Sequence, residues 1–271
     1  MDRYAVFGNP IAHSLSPAIH ALFAKAEGET IDYRAIEIPA GRFMIFAQRF
    51  FDEGGRGANV TLPYKVNAFH WAGVRSARAE LAGAANFLMK RGGNIEADNT
   101  DGAGLVADLT MNLGEDLRGK RLLLFGAGGA ARGVIAPLLA LEPRSLVVAN
   151  RTAERARDLA RQFAAHGAIE SSALDGVPPG AFDIVINATS GGTRGEALSL
   201  PPQVFGPDTL AYDMAYGASA RSFAAQAQAR GARASDGLGM LVEQAAESYL
   251  LWRGKRPATR PVLEDLRARL A

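Results

Sequence analysis

Apolar residues recur along this chain in two alternating rhythms. Tyr4–Phe7, Ile31–Ile38 and Gly57–Thr61 are short runs with β-branched or aromatic content, and each is predicted to be a strand. Between them, Ser16–Ala26 and Ala40–Asp52 space their apolar residues at helical intervals. Ser16 suits the N-cap of the first helix. Pro17 then sits at the first helical position, where its missing N–H costs nothing. Another helix is predicted to open around Pro63-Tyr64-Lys65. Strands alternating with helices imply a mostly parallel sheet with helices packed on it.

The alternation resumes after about Gly102. Leu122–Phe125 is wholly apolar, as expected of a strand buried on both faces. Ser145–Ala149, Asp183–Ala188 and Leu210–Met214 are further strands, with helices running to about Leu141 and over Ala153–Ala165. Four strands separated by helices make a doubly wound sheet. Leu238–Leu251, with Leu238, Leu241, Val242, Ala245 and Leu250 on its apolar face, and Val262–Leu270 complete the pattern. The fold class read from this is α/β in two units.

The second unit carries the sharper motif. Gly126, Ala127, Gly128, Gly129 and Ala130 stand between an apolar strand and a helix, in the order Gly126-x-Gly128-x-x-Ala131. Gly126 suits the tight turn, Gly128 allows close approach of a pyrophosphate, and Ala131 keeps helix and sheet close. The helix N-terminus adds free N–H groups and a positive dipole end. The unit is therefore expected to be a Rossmann-like dinucleotide-binding domain. The next strand ends in Asn150-Arg151-Thr152, with Arg155 one turn on, and has no carboxylate for a ribose 2′-OH. Arg151 offers a guanidinium fork for a 2′-phosphate, which points to NADP(H) rather than NAD. Arg157 and Arg161 read as a solvated helix face. Ligands of such sheets lie beyond the carboxyl ends of the strands. That singles out Asn187-Ala188-Thr189-Ser190-Gly191, Tyr212-Asp213-Met214-Ala215-Tyr216 and Asp236-Gly237.

Composition narrows the field. The 271 residues, 48% hydrophobic and 21% charged, fit an ordinary globular chain of about two domains at roughly 150 residues each. Thirty Lys+Arg against 28 Asp+Glu leave a net charge of only +2, without a basic block of the kind that holds a nucleic-acid backbone. The absence of cysteine excludes disulfides, thiolate metal sites and a cysteine nucleophile. No signal-peptide pattern opens the chain, and no apolar run approaches the roughly 18 residues of a membrane helix. A cytoplasmic protein with a small anionic partner, no nucleic acid, no membrane and no metal is expected; His13, His20, His70 and His166 are scattered.

The first unit has polar strand ends of its own. Ser14 and Ser16, two apart in a stretch read as extended, would point the same way at a helix N-terminus that favours a carboxylate. Asn59 and Thr61 share one side of a strand end, next to Lys65, and Asn86 follows Gly83-Ala84-Ala85. Asn99-Thr100-Asp101-Gly102 stands where the units meet in sequence. A lysine–aspartate pair, Lys65 and Asp101, can run proton transfer where the fold brings the two together.

These segments together resemble the shikimate dehydrogenase family. The resemblance rests on Tyr4-Ala5-Val6-Phe7-Gly8-Asn9-Pro10-Ile11-Ala12-His13-Ser14-x-Ser16-Pro17, Gly57-Ala58-Asn59-Val60-Thr61-x-Pro63-x-Lys65 and Asp98-Asn99-Thr100-Asp101-Gly102. The glycine loop, Asn150-Arg151-Thr152, Asn187-Ala188-Thr189-Ser190 and Asp236-Gly237-Leu238-Gly239-Met240-Leu241 extend it, in order across essentially the whole chain. It implies Lys65 and Asp101 as the catalytic pair, and Ser14, Ser16, Asn59, Thr61, Asn86, Tyr216 and Gln244 as substrate-binding residues. It also implies that Gly126–Ala130, Asn150, Arg151, Thr152, Arg155, Thr189, Met214 and Gly237 contact the cofactor. The substrate domain would be discontinuous, 1–101 with 238–271, around an NADP-binding domain at 102–237. The implied reaction is the reversible NADPH-dependent reduction of 3-dehydroshikimate to shikimate, by a monomer or homodimer. Alternatives are a quinate/shikimate dehydrogenase with relaxed substrate or NAD use, and a non-catalytic ligand-sensing relative. Methylene-tetrahydrofolate dehydrogenase shares the architecture but not the Ser14-x-Ser16 and Asn99–Gly102 signatures.

Overall fold

A computed structural model describes residues 1–189 and 200–270. Ser190 and Gly191, grouped above with a strand-end segment, lie outside the described residues. The chain forms two compact units, Met1–Gly104 with Leu241–Ala271, and Leu105–Met240. In chain order the first part comprises β1 (Asp2–Gly8), α1 (Ser16–Ala26), β2 (Ile31–Glu37), α2 (Phe43–Asp52), β3 (Gly55–Val60), α3 (Lys65–Trp71), β4 (Val74–Arg75), α4 (Ala77–Ala82), β5 (Phe87–Arg91), β6 (Asn94–Asp98) and α5 (Asp101–Ala107). A π-helical turn, Asp108–Asn112, precedes β7 (Arg121–Phe125), α6 (Gly129–Leu139), β8 (Ser145–Asn150), α7 (Ala153–Phe163), β9 (Ile169–Ala173), β10 (Ile184–Asn187), β11 (Leu210–Asp213), α8 (Arg221–Gln228) and β12 (Arg233–Ser235). The chain ends with α9 (Leu238–Arg253) and α10 (Arg260–Leu270). No helix among the described residues is long and apolar enough to cross a membrane.

The first unit's sheet has the order β2-β1-β3-β5-β6-β4. Strand alternation divides its core. Ala5 and Phe7 of β1 face a cluster that includes Phe43, Phe50 and Phe51 of α2, with the Phe7 and Phe50 rings edge to face at 5.3 Å. Tyr4 faces the other way and meets Trp252 of α9 at 4.7 Å between ring centroids. The expected alternation lacked the β5–β6 hairpin, which makes the β3–β5 and β5–β6 pairings antiparallel beside the parallel β1–β2, β1–β3 and β4–β6 pairings. Its turn is Gly92-Gly93, both at positive φ, as a two-residue hairpin turn requires. Ser16 does not cap α1: it is already the first helical residue, and Leu15 before it has helical dihedrals (φ −81°, ψ −7°). The stretch read as extended is therefore bent. Ser14 and Ser16 are joined instead by a hydrogen bond from the Ser16 N–H to Ser14 Oγ at 3.3 Å.

The second unit has the order β12-β11-β10-β7-β8-β9, every pairing parallel. This is the doubly wound arrangement of two three-strand halves, with the order reversing between β7 and β10. Among the described residues, six strands replace the four expected. The extra two, β9 and β12, are the sheet edges, where Ile-Glu-Ser-Ser-Ala and Arg-Ala-Ser are only partly buried and carry no apolar run. The helix α9 is more deeply buried than one apolar face implies: Glu243, Gln244 and Ser248 are buried alongside Val242 and Ala245, while Leu250 is only half-buried.

His20 sits in the first unit's aromatic layer, fully buried, stacked on Tyr33 at 4.2 Å and edge-on to Phe23. Burial pushes its imidazole down to about 3, and the nearby Asn59 offsets only part of that. Folded His20 is thus neutral over a range where the unfolded chain, with its ordinary value near 6.5, takes up a proton. Stability from this residue is complete above about pH 6.5 and is lost as pH falls toward 3, by about 1.4 kcal/mol per pH unit. Urea unfolding of the wild type between pH 6.5 and 4.5 is expected to lose about 2–3 kcal/mol more than unfolding of His20→Phe over the same range.

Candidate active site

In the first unit, two helix starts deliver the charged pair. Tyr64, just before α3, donates from its hydroxyl to the Ile38 carbonyl at 2.6 Å and so anchors the helix that begins with Lys65. Asp101 opens α5, its N–H donating to Asn99 Oδ1 at 3.1 Å, while Asn99 Nδ2 donates to the Ala84 carbonyl at 3.0 Å. These anchors bring Lys65 Nζ to 2.5 Å from Asp101 Oδ2, with side chains only 12% and 5% exposed. The carboxylate's other oxygen accepts from Asn86 Nδ2 at 2.8 Å. The Asn86 amide cannot be reversed without loss. The Thr100 N–H donates to Asn86 Oδ1 at 2.7 Å, which leaves the NH₂ end for Asp101.

The network extends outward from Asn86. Gln244 Oε1 lies 3.3 Å from Asn86 Nδ2 and 3.4 Å from Thr100 Oγ1. Asn59 Nδ2 donates to the Asn86 carbonyl and to Ser248 Oγ, and Asn59 Oδ1 accepts from the Tyr33 hydroxyl at 2.8 Å. Lys65, Asp101, Asn59, Asn86 and Gln244 thus form one connected set. Thr61 follows β3 and donates its N–H to the Phe7 carbonyl, and Ser14 and Ser16 stand at the start of α1. Thr100, Ser248 and Tyr33 were missed. Two of them carried a signal: Thr100 lies between Asn99 and Asp101, and Ser248 is one helical turn beyond Gln244, to whose carbonyl it donates at 3.0 Å. Behind Asn99 lies Asp98. Burial raises its carboxyl, but a two-pronged bond from Arg78, with Ser76 and the Asn99 N–H, outweighs this and holds it below the ordinary carboxylate range.

In the second unit the glycine loop lies at the carboxyl end of β7. Gly126 has φ +107°, and a Cβ there would stand 3.0 Å from the Ala188 carbonyl oxygen, so only glycine fits. A Cβ on Gly128 would meet nothing within 4 Å, which leaves its backbone open to a ligand at the start of α6. Gly129, Ala130 and fully buried Ala131 form the first turn, and Ala127 bridges the two loop glycines. At the end of β8, Asn150 Nδ2 donates to the Thr152 carbonyl at 3.0 Å, and Arg151, Thr152 and Arg155 are exposed. Arg157 and Arg161 lie 3.8 and 3.7 Å from Glu154 and Asp158, side chains that are themselves exposed. At the end of β10, Thr189 donates to Asn187 Oδ1 from both its N–H and its hydroxyl. Met214 and Tyr216 lie on the loop after β11. Gly237 packs against that loop so closely that a Cβ would collide with the Met214 carbonyl. The open loop backbone, the α6 N-terminus with no side-chain cap at Gly128 and the exposed guanidinium groups fit a phosphorylated dinucleotide.

A doubly wound unit with such a loop, joined to an α/β unit bearing a nearly dry lysine–aspartate pair, defines a dinucleotide-dependent oxidoreductase. Residues 6–88 match the model of the shikimate dehydrogenase substrate binding domain, 108–194 that of shikimate / quinate 5-dehydrogenase, and 237–267 that of the shikimate 5′-dehydrogenase C-terminal domain. The chain is 52% identical over 274 aligned residues to a shikimate dehydrogenase (NADP(+)) of Acidovorax sp. (strain JS42), covering 100% of this chain and 97% of that one. It is 51% identical to one of Hahella chejuensis, with 98% and 99% covered. Among solved structures, an Ael1 enzyme from Pseudomonas putida superposes with a TM-score of 0.91 at 46% identity, covering 98% of each chain. The shikimate 5-dehydrogenase of Thermus thermophilus in complex with NADP(H) and shikimate gives 0.83 at 31%, covering 99% of each. The chain belongs to the shikimate dehydrogenase family.

Replacing Asn86 by alanine strands the Thr100 N–H and one oxygen of Asp101 in a buried site. The Asn86→Ala variant is expected to lose about 2–4 kcal/mol of stability, read as a lower urea midpoint at unchanged slope.

Proposed function

We propose that this protein reduces 3-dehydroshikimate to shikimate, reversibly, with NADPH, the step of the shikimate pathway that its curated relatives are named for. The observation that carries the reading is the Lys65–Asp101 pair at 2.5 Å, with both carboxylate oxygens engaged and little water access. When bound, NADPH supplies the hydride that reduces the ketone. The ketone oxygen must gain a proton as it becomes a hydroxyl. Lys65 Nζ holds that proton and offsets the negative charge building on the oxygen. Asp101 keeps Lys65 oriented and accepts from a neighbouring hydroxyl of the substrate, and Asn86 fixes the carboxylate in turn.

Ser14 and Ser16 hold the substrate carboxylate from the start of α1; Thr61, Asn86 and Gln244 bind its ring hydroxyls, and Asn59 and Tyr216 are further substrate-binding residues. Gly126–Ala130, Thr189, Met214 and Gly237 receive the cofactor. Asn150, Arg151, Thr152 and Arg155 take its 2′-phosphate. Residues 1–101 with 238–271 act as the substrate domain and 102–237 as the nucleotide domain, in a cytoplasmic enzyme. The exposed Arg151 fork, with no carboxylate at that strand end, favours NADP over NAD and so favours this reading over an NAD-dependent quinate dehydrogenase.

The decisive assay follows absorbance with shikimate and quinate, each paired with NADP⁺ and NAD⁺. Shikimate with NADP⁺ is expected to dominate, and a chain inactive with every pair would defeat the proposal. Lys65→Ala is expected to lower kcat by about three orders of magnitude with little change in KM. Arg151→Ala is expected to shrink the NADP/NAD preference by about 10- to 100-fold, the worth of one charged hydrogen-bonding group.

A further inference from the structure

The doubly wound order assigns the halves of the second unit. The glycine loop and Arg151 belong to the β7–β9 half, which takes the adenosine end of a dinucleotide. The β10–β12 half takes the other mononucleotide, the nicotinamide end. The ends of β10 and β11 in that half are tied together by one buried pair. Asn187 Nδ2 donates to Asp213 Oδ2 at 2.9 Å, and the two residues are 3% and 1% exposed. Each also holds the residue two positions on: Asn187 Oδ1 accepts both bonds from Thr189, and Asp213 Oδ1 accepts the Ala215 N–H at 2.8 Å. The Met214 N–H donates back to the Asn187 carbonyl at 2.9 Å, and the Gly237 N–H donates to the Ala215 carbonyl at 2.8 Å.

Asp213 is an uneconomical choice for stability alone. Burial raises its carboxyl above the ordinary range, nearby Asp236 adds to this, and the Ala215 N–H and Asn187 amide only partly compensate. A buried carboxylate met by neutral donors is explained better by what it positions.

We infer that Asn187 and Asp213 are positioning residues for the nicotinamide end of the cofactor, locking Thr189 and the Met214–Tyr216 segment into one seat. The inference rests on the nucleotide assignment proposed above. It depends on the polarity of one bond, with amide on β10 and carboxylate on β11. In Asn187→Asp two carboxylates face each other, and in Asp213→Asn two NH₂ groups do. In the double variant N187D/D213N the groups exchange places, and the Thr189, Ala215 and cross-strand bonds are all satisfied again.

The test titrates the full chain with NADP⁺ and, separately, with adenosine 2′,5′-bisphosphate, which carries the adenosine end alone; kcat and KM are followed in parallel. Each single variant is expected to weaken NADP⁺ binding by about tenfold or more while leaving bisphosphate binding within about threefold, and the double variant to regain NADP⁺ affinity to within about threefold of wild type. Singles that bind NADP⁺ normally, a double no better than the worse single, or equal loss of both probes would overturn the inference. If a single variant does not fold, the double still decides, because recovery supports the pair and continued loss overturns it. A wild-type chain that binds neither probe defeats the nucleotide assignment itself, and the role of the pair with it.

Discussion

A lysine and an aspartate almost out of water impose the constraint on which the first unit is built. Removing two charges from solvent is costly unless the remaining hydrogen-bonding capacity of each is met. At Asp101 one oxygen faces Lys65 and the other faces the Asn86 amide. Asn86 must then present its NH₂ end, and it does so because the Thr100 N–H occupies its carbonyl end. Its main-chain carbonyl in turn receives the Val60 N–H and the Asn59 amide. The demand for satisfied polar groups passes outward to Gln244 and Ser248, which explains why a helix as buried as α9 carries glutamine and serine facing inward.

The second unit answers a different constraint. A dinucleotide site needs backbone rather than side chains close to phosphate, so its important residues are those with nothing to add. Gly126 exists because its φ of +107° and the carbonyl of Ala188 exclude a side chain, and Gly128 leaves its surroundings open. Where side chains do act, as in the Asn187–Asp213 pair, they act on backbone, fixing the paths of Thr189 and Ala215. One unit thus concentrates charge among buried groups, and the other presents amides and exposed cations.

Legibility in the sequence follows from burial. Strands buried on both faces, such as Leu122–Phe125 within β7, stand out because every residue is apolar. The edge strands β9 and β12 did not, because half of each edge is wet and polar residues are tolerated there. The β5–β6 hairpin is legible in principle, since Gly92-Gly93 between two strand-like runs is a turn signal, but the strand–helix alternation on either side masks it. Ser16 misled because its residue type matches both a helix cap and a helix start, and only the helical dihedrals of Leu15 separate the two.

Most local elements, the glycine loop and the residue types at each strand end are legible along the chain, because these depend on chain periodicity and on the steric demands of single positions. Motif order likewise pointed to the family. That Lys65 and Asp101, 36 residues apart, meet at 2.5 Å, and that Asn86, Thr100, Gln244 and Ser248 complete their surroundings, comes from three-dimensional packing alone. Hydrogen bonding across such separations depends on sheet register and helix packing, which no short stretch of sequence contains. The polarity of the Asn187–Asp213 bond belongs with them, since it exists only where two parallel strands end side by side.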